Sequence, residues 1–129
     1  MQRSTGTARA RTIDVPQFVD PRGWLATFEQ ARPLPFKPVR TFIIGDVPPN
    51  AHRAQHAIDC EEFLWMAAGG CRAVVREAAG RDGQDEQQFH LVAHGPGLYL
   101  PRSVWVDLYE FSPGSVLVCM ADSEYAPRD

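Results

Sequence analysis

Cys60-Glu61-Glu62-Phe63-Leu64-Trp65-Met66-Ala67 is the stretch on which the fold turns. It has the length of a strand and is too short for a self-sufficient helix. Strand alternation puts Glu62, Leu64 and Met66 on one face and Glu61, Phe63 and Trp65 on the other. Both faces carry bulk, so the strand has to be covered on both sides. Packing against a second sheet covers one face and a second subunit covers the other, which predicts a homodimer. Glu62 shares its row with Leu64 and Met66 and therefore points inward. A carboxylate there must be paired to escape a desolvation cost of several kcal/mol, and Arg40 is its natural partner.

Working outward, the same short apolar stretches recur without any long segment of helical spacing. Strands are predicted at Trp24 to Phe28, Val39 to Gly45, Cys71 to Glu77, Gln87 to Val92, Gly97 to Leu100, Val104 to Phe111 and Ser115 to Met120. Between them fall turn signals such as Asp20-Pro21-Arg22-Gly23, Pro48-Pro49-Asn50, Gly69-Gly70, Gly95-Pro96-Gly97 and Ser112-Pro113-Gly114. The polar stretch Arg81 to Gln88 reads as a hairpin tip. In Val104 to Phe111, Val104, Val106 and Leu108 share a face opposite Trp105, Asp107, Tyr109 and Phe111. The implied class is all-β, a sandwich or jelly roll.

A chain of 129 residues is the size of one domain and can bury a core without disulfides. The expected organisation is a flexible segment over 1–11 and a single domain over 12–129. A formal charge of -3 with no block of like sign argues against a nucleic-acid partner. The three cysteines, Cys60, Cys71 and Cys119, form no C-x-x-C pair and are odd in number, which fits reduced thiols and a cytoplasmic location. No apolar run is long enough to suggest a membrane partner.

The positions of His56, Glu62 and Gly69 resemble the first motif of the cupins, H-x-H-x3-E-x6-G, with Ile58 in place of the second histidine. Pro101, Ser103 and Val106 take the places of the second motif, P-x-G-x2-H, whose histidine is also absent. A transition metal needs at least three well-placed protein ligands, so no metal and no other cofactor is expected. The likeness extends further. Asp20-Pro21-Arg22-Gly23-Trp24-Leu25, Leu34-Pro35-Phe36 through Arg40, Asp46-Val47-Pro48, Arg53-Ala54-Gln55-His56-Ala57, Val104-Trp105, Phe111-Ser112-Pro113-Gly114 and Ala121-Asp122-Ser123-Glu124-Tyr125 come in one family's order. From about Thr12 onward the chain resembles the nucleotide-sugar 3,4-ketoisomerases, the WxcM-like cupins.

That resemblance implies an RmlC-like cupin jelly-roll β-barrel and an isomerase that needs no metal. Its substrate would be a small molecule, a thymidine diphosphate-linked 4-keto-6-deoxyglucose, used in deoxysugar or natural-product biosynthesis. Such an enzyme takes a proton from one sugar carbon, passes through an enediol and returns the proton to the neighbouring carbon. By the resemblance His56 is the base, with Arg40 gripping a diphosphate or an enolate oxygen and Glu62 completing the acid–base set. Arg53, Tyr99, Trp105 and Asp107 are the expected substrate-binding residues. Departures from the family pattern fall at Ile58, Ile43 and Val106, where aliphatic groups replace polar ones. They leave two alternatives: a cupin isomerase, dehydratase or cyclase redeployed on a less polar substrate, and a non-catalytic ligand-binding cupin. His52, His90 and His94 read as solvated residues in or beside loops.

Overall fold

The computed structural model describes residues 9–78 and 84–125. In chain order its strands are β1 (Arg11–Ile13), β2 (Gln17–Asp20), β3 (Gly23–Ala26), β4 (Glu29–Gln30), β5 (Pro33–Leu34), β6 (Arg40–Gly45), β7 (Arg53–Ala57), β8 (Glu62–Ala68), β9 (Gly70–Ala78), β10 (Gln84–Val92), β11 (Gly97–Leu100), β12 (Trp105–Tyr109) and β13 (Val116–Ala121). No helix occurs among the described residues. One sheet has five strands in the order β1-β11-β8-β13-β6, and a second has four in the order β10-β9-β12-β7. The short pairs β2-β3 and β4-β5 complete the topology.

The quoted stretch lies at the centre of the larger sheet, where Leu64 opposes Leu98 on β11 and Cys119 on β13. Its two bulky faces feed two separate cores. Leu64 and Met66 join Leu98, Leu100, Val106, Leu108 and Leu117 between the sheets. Phe63 and Trp65 join Val15, Leu34, Phe36, Tyr99 and Met120 on the far side. Each fully buried aliphatic or aromatic side chain here contributes about 1.5–3 kcal/mol of transfer free energy. The outer face is thus covered by the chain's own segment between β1 and β6, including Phe28, whose ring lies 5.2 Å from that of Trp65. Covering by a second subunit, the sequence-based expectation for this face, is not what buries Phe63 and Trp65.

On β12 the alternation holds as read, with Val106 and Leu108 buried and Trp105, Asp107 and Tyr109 half-exposed, but Phe111, read as outward with them, lies past the strand end and is buried in the inner core. Gly69, between β8 and β9, has φ of +71°, and a Cβ there would come within 2.5 Å of Ser115 Oγ. The hairpin closes against the Ser112 to Ser115 turn through a Gly70 N–H donated to Ser112 Oγ at 2.9 Å. No side chain fits at Gly69.

Several boundaries differ from the sequence reading. The chain is engaged before Thr12: Ala10 is buried, and Arg11 pairs with Tyr99 in the sheet. Strand β7 was not legible because all five of its residues are exposed, so no alternation marks it. Of the proposed hairpin tip, residues 81–83 lie outside the described residues, while Gln84 to Gln88 belong to strand β10. His90 sits on that same strand, inside the predicted Gln87 to Val92, and is exposed as read.

Candidate active site

Between the two sheets the structure opens into two adjoining spaces. The outer one, a mouth of about 370 Å³, is lined by Arg40, Phe42, His56, Glu62, Arg102 and Tyr125 among others. Behind it lies a floor of about 120 Å³ walled by Ile58, Leu64, Leu100, Val106, Leu108 and Cys119, with Arg53 and Ala54 at its edge. Phe42, His56, Ile58 and Glu62 belong to both.

Three separate elements deliver the candidate side chains His56, Glu62 and Arg40. His56 comes from β7, whose backbone is forced out of regular extension by positive φ at Ala54 (71°) and Gln55 (61°), opposite a bulge between Val106 and Asp107. These distortions end the regular ladder where the cavity opens. His56 is exposed, and its Nδ1 lies 3.1 Å from the Ala57 carbonyl oxygen. When Nδ1–H donates to that carbonyl, Nε2 carries the lone pair that a base needs.

Glu62 enters from β8 and Arg40 from the edge strand β6. Burial raises the Glu62 pKa above the ordinary 4.5, and the Cys60 thiol, Arg40 and His56 pull it partly back. The thiol donates to Oε2 across 3.7 Å. Among the described residues Glu62 and Arg40 form no ion pair within 4.0 Å, contrary to the sequence expectation. The Arg40 guanidinium lies instead over aromatic rings, 4.9 Å from the centroid of Phe42 and 5.7 Å from that of Tyr125. Its Nε is buried without a hydrogen-bond partner among the described residues. Two conditions follow: a carboxyl that holds its proton more tightly than usual, and a guanidinium with donor capacity to spare.

Of the expected binding residues, the structure brings only Arg53 to the cavity. Tyr99 is buried in the outer core, its hydroxyl donating to the Glu61 carboxylate and its ring under the Arg11 guanidinium at 4.7 Å. Trp105 stands on the outer face of the four-stranded sheet beneath Arg76, 4.5 Å from the ring centroid. Asp107, on the same face, accepts from His52 Nδ1 at 2.9 Å. Strand parity separates them from the site: each alternates with a residue that does face inward, namely Leu98, Leu100, Val106 or Leu108. Ile43 is likewise turned out, 65 % exposed, so the aromatic that β6 offers the cavity is Phe42. His94 is not a solvated loop residue. Its ring stacks on Trp65 at 5.7 Å and 9°, with Trp24 at 4.4 Å.

Sequence reasoning missed Cys60, Arg102 and Ser123 at the mouth. They sit in the turns after β7 and β11 and after β13, where no periodicity marks a side chain's direction. Cys60, Cys71 and Cys119 are free and buried. Burial pushes the Cys71 thiol up to about 12 and Cys119 well above its ordinary value. No group of three or more His, Cys, Asp or Glu placed to hold a metal ion occurs among the described residues.

Two facing sheets in jelly-roll order, with a histidine, a glutamate and an arginine gathered between them at one end, define a cupin. The family model described as FdtA, WxcM-like, C-terminal, matches residues 8–129. The chain belongs to that family. It is similar to the TDP-4-oxo-6-deoxy-alpha-D-glucose-3,4-oxoisomerase of Aneurinibacillus thermoaerophilus, 28% identical over 120 residues, covering 92% of this chain and 83% of that protein. Among solved structures it resembles the WlaRB TDP-quinovose 3,4-ketoisomerase of Campylobacter jejuni, with a TM-score of 0.80, 28% identity and coverage of 91% of this chain and 87% of that one. The dTDP-4-dehydrorhamnose 3,5-epimerase of Bacillus anthracis shares the fold at a TM-score of 0.76 and 15% identity, over 95% of this chain and 77% of that one.

Proposed function

We propose that this cupin is a metal-independent 3,4-ketoisomerase of a thymidine diphosphate-linked 4-keto-6-deoxy sugar. The observation that carries the reading is the meeting of His56, Glu62 and Arg40 around one cavity, each from a different strand. His56 takes the proton from C3, the electron pair forms the C3–C4 double bond, and charge develops on the C4 oxygen. Arg40, with an unspent Nε–H, is suited to meet that charge. Protonation of the oxygen gives the enediol. Loss of the O3 proton and delivery of a proton to C4 then leave the ketone at C3. Glu62, whose raised pKa lets it hold and release a proton nearer neutrality, serves the second transfer. No electron acceptor is needed, since the product is an isomer of the substrate. The alkyl groups of Ile58 and Val106, where a cupin metal site has imidazoles, support a reaction that runs without metal.

The same reading includes a single domain acting in the cytoplasm as a homodimer. Exposed Phe18, Val19, Trp24 and Leu25 on the β2–β3 hairpin support the dimer. Incubating the purified protein with thymidine diphosphate 4-keto-6-deoxyglucose and following the sugar by proton NMR tests the activity. Conversion to a 3-keto isomer is expected, and an unchanged spectrum at high enzyme concentration overturns it. The aliphatic floor favours a second reading, the same proton transfer on a less polar carbonyl compound. A hydrophobic ketone that raises the melting temperature where thymidine nucleotides do not would favour it.

A further inference from the structure

The floor is a poor place for a sugar hydroxyl. Its walls, Ile58, Leu64, Leu100, Val106, Leu108 and Cys119, are each no more than 4% exposed. Among the described residues that line it, the ionisable side chains are His56 and Glu62 on the side shared with the mouth, Arg53 at the edge and the weakly polar Cys119 thiol in the wall. A hydroxyl seated there gives up its hydrogen bonds to water and finds no partner among the aliphatic walls, a loss that a methyl group does not suffer. The space of about 120 Å³ is several times what one water occupies, and away from the side shared with the mouth its lining is mostly aliphatic and offers water few partners. An alkyl substituent is therefore the group that gains most by entering.

We propose that Ile58 and Val106 are specificity-determining residues that seat the C6 methyl of a 6-deoxy sugar in the floor and so present C4 and C3 to His56 and Glu62. This rests on the nucleotide-sugar reading and adds which edge of the sugar enters the core. The connectivity supports it: C6 is bonded to C5, C5 to C4 and C4 to C3. A methyl held in the floor therefore places the reacting carbons at the level of the residues that line both spaces. The two positions at which this chain replaces a cupin histidine by an aliphatic residue are both walls of the floor, where an imidazole would bring a polar group. Their substitution is thus a change of ligand preference as well as the loss of a metal site.

Isothermal titration of the wild-type chain with thymidine diphosphate, thymidine diphosphate glucose and its 6-deoxy counterpart tests this, since the two sugars differ only at C6. The 6-deoxy sugar is expected to bind about 10- to 100-fold more tightly than the glucose compound, the range for one group in a hydrophobic pocket. Val106→Thr, which keeps the shape and adds a hydroxyl, should reduce that ratio several-fold and leave the affinity for thymidine diphosphate unchanged. Should that variant fail to fold, Ile58→Val, which only enlarges the floor, should relax the same ratio. Equal binding of the two sugars by the wild type overturns the floor assignment and leaves the nucleotide-sugar reading standing. Absence of binding by all three ligands, the diphosphate included, overturns that reading and the floor assignment with it.

Discussion

The mouth and the floor of the cavity share strands β6, β7 and β8, yet they obey opposite rules. At the mouth, His56 is exposed, Arg40 has a spare donor and Glu62 keeps its proton too tightly. At the floor, Leu64, Leu100, Val106 and Leu108 are packed to 3% exposure or less. The difference follows from register. Along β8, Glu62 and Leu64 are neighbours on one face, so a single step along the strand passes from the site into the core. A protein can carry chemically unsettled groups only beside a region that stabilises the fold without them, and here that region begins one residue pair away.

The sharpest way to break the comparison is His56→Asn. Turnover of the keto sugar should fall by about 10³-fold, within the range for removing a general base. The melting temperature should move by no more than about 2 °C, because the ring is exposed and makes one hydrogen bond, to the Ala57 carbonyl. Steady-state kinetics beside a thermal melt reads both. Retention of most of the wild-type rate would remove His56 from the mechanism.

Leu100→Ala attacks the floor instead. Leu100 is fully buried, and its truncation should cost about 2–5 kcal/mol in urea denaturation. The folded variant should still turn over substrate far better than His56→Asn does. If both variants lost activity equally while Leu100→Ala remained stable, the division between a working mouth and a supporting floor would fail.

Glu62→Gln sharpens the boundary between them, with a smaller expected effect on turnover than His56→Asn. Because the folded protein raises the Glu62 pKa, protonated Glu62 stabilises the fold fully below the ordinary value of 4.5, and that contribution is lost as pH rises through the raised value. The neutral amide avoids the loss. Glu62→Gln should therefore melt about 1–4 °C above wild type near pH 8, with the gap closing as the pH is brought below 4.5. Its turnover should nevertheless fall by about 10²-fold. A lower melting temperature at pH 8 would restore the ion pair with Arg40 that the structure does not form.

Much of the cavity was legible where strands alternate cleanly. Glu62 was placed inward with Leu64 and Met66, and Val106 was set opposite Trp105 and Asp107, by parity alone. That same parity argues against Trp105 and Asp107 as cavity residues, and Tyr99 falls outside by the alternation of Leu98 and Leu100. Where alternation was missing, so was the reading. Strand β7 is exposed throughout, and it carries His56, the proposed base; the cupin spacing to Glu62 and Gly69 and the family resemblance, not alternation, pointed to it. The mouth residues Arg102 and Ser123 sit in turns, whose direction no period encodes.

By itself the sequence determined an all-β chain with its inward and outward rows, the cupin spacing of His56, Glu62 and Gly69, and the aliphatic residues at Ile58 and Val106. These are local properties, set by a two-residue period and by the separation of residues along one strand. Tertiary structure alone decided what Glu62 and Arg40 touch, and that the chain covers its own Phe63 and Trp65. It alone also sorted one cavity into a polar mouth and a dry floor. Each of these depends on residues far apart in sequence meeting across two sheets, and the energies of burial, pairing and desolvation exist only once they have met.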